Sequence, residues 1–242
     1  MPVEIKVLMG TALFIGFFHT ITGPDHYLPF IMMSKARQWS KAKTAWITAV
    51  CGMGHVLSSI VLGFVGVAFG IALIKLEIIE SFRGDLAAWL FIIFGFVYFV
   101  WGIWRAIKNK KHTHVHMHED GNLHEHVHSH SDAHMHAHDG KKNITPWVLF
   151  TIFVFGPCEP LIPILMYPAT RIPNTAMAEN AVWLALIAFI FAVATVGTML
   201  TMVMVSLRGL SFLPFKRIER YTHAIAGATI LLCGVSIVFL GL

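Results

Sequence analysis

Six stretches of the chain are apolar almost without interruption, at about 5–33, 44–74, 86–107, 145–168, 181–207 and 221–241. Each is long enough to cross a hydrocarbon core of roughly 30 Å as a helix. None alternates polar and apolar residues as the strand of a membrane barrel would. In lipid the backbone must satisfy its own hydrogen bonds, and a helix does so within one segment. The pattern therefore predicts an all-α polytopic membrane protein with six transmembrane helices.

Polarity inverts once, between the third and fourth stretches. The tract at about 108–144 carries His112, His114, His116 and His118, then His124, His126, His128 and His130, then His134, His136 and His138. Eleven of the chain's 15 histidines lie here, mixed with acidic residues and with few large apolar side chains. Such a segment cannot bury a core, so disorder in the absence of a ligand is expected. Neutral imidazole is a ligand for nickel, cobalt, zinc and copper, and the tract reads as a metal-collecting loop.

The tract divides the chain into a first three-helix unit (1–107), the loop (108–144) and a second three-helix unit (145–242). Gly23-Pro24-Asp25-His26 interrupts the first stretch, and Gly156-Pro157-Cys158-Glu159-Pro160 interrupts the fourth. An odd number of spans in each unit requires the second copy to be inverted across the membrane. Inverted repeats whose first helices are broken by Gly and Pro point to a transporter's central binding site.

Composition narrows the class. Hydrophobic residues make up 56% of the chain and charged ones 13%, against about 45–50% and 25% in soluble domains. A water-soluble enzyme is excluded, and no His-Glu-x-x-His or Gly-x-Ser-x-Gly element suggests catalysis. The net charge of +5 does not signal nucleic acid. Fourteen of the 18 Lys and Arg fall in connections one, three and five, which share one face. The positive-inside rule places that face and the histidine loop in the cytoplasm and both termini outside, in an inner (plasma) membrane of prokaryotic type. Cys51, Cys158 and Cys233 all fall in apolar stretches and form no disulfide framework. The N-terminus lacks a basic segment and a cleavage site, and reads as a retained first span.

Ionisable groups at membrane depth are costly and mark function by default. His19, Asp25 and His26 surround the first break, His55 lies in the second stretch, and Cys158 and Glu159 occupy the second break. Three imidazoles, two carboxylates and a thiol suit a borderline divalent metal ion better than a sugar, an organic anion or an alkali ion.

These residues together resemble the NicO family of nickel/cobalt transporters, including its efflux members. The shared order is His19 and His26 in span one, His55 in span two, a His-rich loop after span three and a Pro157-Cys158-x-Pro160 element in span four. His19-x5-Asp25-His26 also looks like the His-x4-Asp-His signature of nickel/cobalt permeases, with one residue more. The resemblance implies transport of Ni²⁺ or Co²⁺. The second break is similar, in addition, to the membrane scaffold of cytochrome c biogenesis and thiol-disulfide carriers, which use a cysteine in each half. Here Asp25-His26 stands at the first-half position.

The expected function is alternating-access transport of a divalent transition metal, in either direction, around His19, Asp25, His26, His55, Cys158 and Glu159. The metal is cargo rather than a tightly bound cofactor, zinc is an alternative cargo, and a thiol-disulfide carrier is the alternative activity. Metal ions and the bilayer are the expected partners, with hand-over from a cytoplasmic metallochaperone compatible with the loop.

Overall fold

The computed structural model describes residues 3–108, 112–117, 123–128, 144–171, 177–210 and 219–240. Helix α1 (Val3–Thr22) ends before Pro24, which has no N–H to donate and disfavours helical geometry at the residue before it. One 3₁₀ turn, Pro24–His26, follows, and α2 (Leu28–Ala36) completes the first apolar stretch. Helix α3 (Lys41–Ala68) is capped by the Ser40 hydroxyl, which accepts from the Lys43 amide at 3.2 Å. Gly70, at φ 60°, makes the tight turn into α4 (Leu73–Lys108). After the histidine tract come α5 (Thr145–Phe155), α6 (Leu161–Arg171), α7 (Met177–Leu210), a 3₁₀ turn at Glu219–Tyr221 and α8 (Thr222–Leu240).

Among the described residues, five helices are long and apolar enough to cross a membrane: Val3–Thr22, Lys41–Ala68, Leu73–Lys108, Ala181–Leu210 and Thr222–Leu240. The fourth apolar stretch is split into α5 and α6, of 11 residues each. Both interruptions expected from Gly-Pro are thus present. The connection between the second and third stretches lies earlier than the sequence reading has it: α3 ends at Ala68, not near 74, and α4 begins at Leu73, not near 86. Glu77, Glu80, Arg83 and Asp85 made this segment look like a connection. It lacks proline, however, and its buried positions Leu76, Glu80, Gly84, Ala87, Ala88 and Phe91 recur at helical spacing.

The strongest packing joins α4 to α8, α1 to α7, and α3 to α7 and α5, followed by α2 with α8 and α3 with α6. Glycines let α4 and α8 approach at backbone distance. A Cβ on Gly95 would meet the backbone of Leu231, one on Gly102 that of Ala224, and one on Gly227 that of Phe99. Away from these contacts the bundle shows apolar side chains outward, among them Phe14, Leu57, Ile93, Val100 and Phe189, as a lipid-facing surface does.

Within the histidine tract, β1 (His112–Met117) and β2 (Leu123–His128) pair antiparallel, with His112 opposite His128, His114 opposite His126 and His116 opposite His124. These twelve positions form one two-stranded ribbon. Their alternation of histidine with Thr, Val, Met or Glu has the period-two pattern of a strand, and all six histidines take positions on one face of the ribbon. His118, His130, His134, His136 and His138 lie outside the described residues.

Candidate metal centre

The first break and α3 build the site. His19 stands on the last turn of α1, His26 in the 3₁₀ turn, and His55 faces them from the middle of α3. His26 and His55 are buried, and His19 is partly so. The His26 ring lies between the other two, with centroids 4.7 Å from His19 and 5.1 Å from His55. One ligand nitrogen from each of the three lies within 4.8 Å of the others. Imidazoles around one divalent ion at about 2.1 Å have nitrogens roughly 3–4 Å apart, so small ring rotations close the set.

Hydrogen bonds fix which nitrogens are available. His26 Nδ1 lies 3.1 Å from Asp25 Oδ1, and His55 Nδ1 lies 3.3 Å from the Phe153 carbonyl oxygen. A carbonyl or carboxylate oxygen accepts, so each Nδ1 carries the hydrogen and each Nε2 presents a lone pair. The Nε2 atoms of His19, His26 and His55 are all buried without a hydrogen-bond partner. Three buried, unsatisfied nitrogens in one place are expensive unless a further group binds them. A divalent cation satisfies all three at once, and the donor set is the imidazole chemistry such ions prefer.

The trio forms one wall of a cavity of about 450 Å³ that also reaches Asp25, Asp85 and Glu159. Beside the trio the cavity has an aromatic floor, lined by Phe91 and Phe153, with Phe30 packed behind them. The Phe153 ring meets Phe30 at 4.7 Å and Phe91 at 6.0 Å, and all three are buried.

Of the residues singled out from the sequence, His19, Asp25, His26 and His55 are thus brought together. Glu159 is exposed on the cavity wall. The Cys158 side chain is fully buried among Ala12, Val56, Leu161 and Leu165, and its described hydrogen bonds are made by the backbone: its amide donates to Glu80 and Ser59, and its carbonyl accepts from the Leu161 amide at 2.9 Å. Cys51, Cys158 and Cys233 are all free thiols. Sequence reasoning did not find Ser58, Ser59, Glu80 and Arg83, which form a buried polar network behind the second break. The signal was present as an acid and a base three apart, on one face of what proves to be a helix.

Gly23 makes the geometry of the trio feasible. A Cβ there would stand 2.7 Å from His26 Nδ1 and 2.9 Å from Asp25 Oδ1. Its φ of −89° is one that alanine adopts freely, and the His19 carbonyl oxygen at 3.1 Å need give only a few tenths of an ångström, so the His26 and Asp25 side chains take most of the displacement. Gly23→Ala is expected to part the Asp25–His26 pair and weaken metal binding by about tenfold or more. Competition of Co²⁺ between the purified protein and a chromophoric chelator measures this. Unaltered affinity would show that the pair does not orient His26.

No protein-family model, curated protein or solved structure matches this chain. The reading of function therefore rests on the residues and their arrangement.

Proposed function

We propose that this membrane protein transports divalent transition-metal ions, binding them at His19, His26 and His55 with Asp25 setting the orientation of His26. The observation that carries the reading is the convergence of three buried, unpartnered Nε2 atoms on the wall of a cavity between broken helices. A bound ion explains their burial, and a cavity at membrane depth gives the ion a place to wait. Nickel and cobalt are the preferred cargo because of the resemblance described above, and zinc suits the same donors. The free cysteines support no electron relay, since nothing pairs Cys158 with a thiol at the first break.

The packing also favours six spans in two inverted halves. Exchanging the halves turns span one against span five into span four against span two. Those are the α1–α7 pairing and the pairing of α3 with α5 and α6. The α4–α8 and α3–α7 contacts map onto themselves under the same exchange. On this reading the halves rock about the site between them. The basic connections and the histidine loop then face the cytoplasm, where the loop gathers metal at the inner mouth or buffers it.

Flux in vesicles tests the proposal. The purified protein, reconstituted, is expected to move Ni²⁺ and Co²⁺ down their gradients with saturation. A variant lacking residues 112–138 should still transport, with half-saturation moved to higher metal concentration. Intact protein that moves none of Ni²⁺, Co²⁺ and Zn²⁺ would end the transport reading.

A further inference from the structure

The second break is held open by a charged pair inserted into a backbone hydrogen bond. In an unbroken helix the Cys158 amide would donate to the Val154 carbonyl, four residues earlier. Here the Cys158 amide donates instead to Glu80 Oε2 and to Ser59 Oγ, both at 3.2 Å. The Val154 carbonyl accepts from Arg83 Nη2 at 2.8 Å. Glu80 and Arg83 are themselves paired, and Ser58 accepts from Arg83 Nη2 at 2.6 Å. Glu80 and Ser59 are fully buried. The two groups of one lost helical bond are thus satisfied by the two members of an ion pair on α4, supported from α3.

The next carbonyl along faces the metal centre. In a helix the Phe153 oxygen would accept from residue 157, but Pro157 has no N–H to offer. That oxygen accepts instead from the Gly156 amide at 3.1 Å, and its second lone pair takes His55 Nδ1 at 3.3 Å, the contact that makes His55 Nε2 a lone pair. Pro157 in turn is seated against Gly84, where a Cβ would come within 2.9 Å of its ring. We infer that Glu80 and Arg83 are positioning residues: they hold segment 153–158 in the broken form that aims His55 at His19 and His26. This rests on the metal-centre reading above. It gives the halves different work, the first break supplying ligands and the second supplying their support.

A buried charge left alone is strongly destabilising, so the test removes both charges together, as E80Q/R83M. Wild type, E80Q/R83M, His55→Ala and the triple combination would be purified in detergent, with monodispersity checked by gel filtration. Ni²⁺ affinity would be measured by chelator competition, and the number of imidazole ligands by X-ray absorption on the Ni²⁺-loaded protein. E80Q/R83M should bind 10–100-fold more weakly and show two imidazoles where wild type shows three. In the His55→Ala background the same exchange should add less than about threefold, because the ligand it positions is already gone. Pro157→Ala approaches the contact from the other side, returning an N–H that competes for the Phe153 oxygen, and should also lose one imidazole. It decides the matter if E80Q/R83M does not fold.

Wild-type affinity and three imidazoles in E80Q/R83M, or in Pro157→Ala when only that variant folds, would overturn the inference and leave the metal centre standing. So would a full, additive loss on top of His55→Ala, which marks a merely structural role. Failure of wild type to bind Ni²⁺ or Co²⁺ would instead remove the metal-centre reading, and this inference with it.

Discussion

Replacing His26 by alanine should abolish metal binding and transport while leaving the helices in place. His26 is the only member of the trio whose ring contacts both others, so its removal leaves His19 and His55 without a bridging ligand. Its loss also releases Asp25, whose described hydrogen bond is to His26 Nδ1. We expect at least a hundredfold loss of Ni²⁺ affinity, or about 3 kcal/mol, and flux at the level of empty vesicles. His19→Ala should do less, since that ring stands at the more exposed edge of the site. Helical circular dichroism should not change for either variant, because the break is made by Gly23 and Pro24. Retention of wild-type affinity by His26→Ala would place the binding site elsewhere.

The second large effect concerns folding rather than chemistry. Gly227→Leu is expected to prevent assembly of the bundle. A single Cβ at Gly227 already collides with the backbone of Phe99 on α4, and backbone cannot turn aside as a flexible side chain can. Even Gly227→Ala should cost about 3 kcal/mol, at the upper end of overpacking penalties. Leucine adds three further carbons to a seam with no room for the first. Gly197→Ala is the control: nothing lies within 4 Å of a Cβ built there, and removing a mid-helix glycine should help by about 0.5–1 kcal/mol. The readouts are the monodisperse fraction in detergent and the melting temperature. Equal behaviour of the two sites would show that the α4–α8 seam tolerates expansion.

The sequence showed these features unevenly, for physical reasons. Both helix breaks were legible because Gly-Pro acts through covalent geometry, which no tertiary context reverses. His19, His26 and His55 were legible because imidazoles at membrane depth have few alternative uses. The start of α4 was not, since Glu77, Glu80, Arg83 and Asp85 read as a polar connection. Only the partners supplied by Ser58, Ser59 and the second break make a charged pair tolerable there, and those partners lie 21 to 78 positions away in the chain. Cys158 shows the converse. Its thiol attracted notice as a ligand type, whereas its amide, common to every residue except proline, makes the structural contact. Side-chain chemistry can be read from a sequence, but the destination of a freed backbone group depends on which helix passes behind it.

The aromatic floor under the histidines has a kinetic meaning. Phe30, Phe91 and Phe153 are packed into one buried contact, and on the transport reading that contact is the barrier beside the site. On the transport reading an ion cannot stream through. It must wait for the rings to separate, and collective motions of that kind take microseconds to milliseconds. Throughput is then a counting process of one occupancy per opening, with a ceiling set by the floor rather than by diffusion. Electrically the molecule would be silent at the single-copy level, showing none of the unitary current steps by which an open pore announces itself.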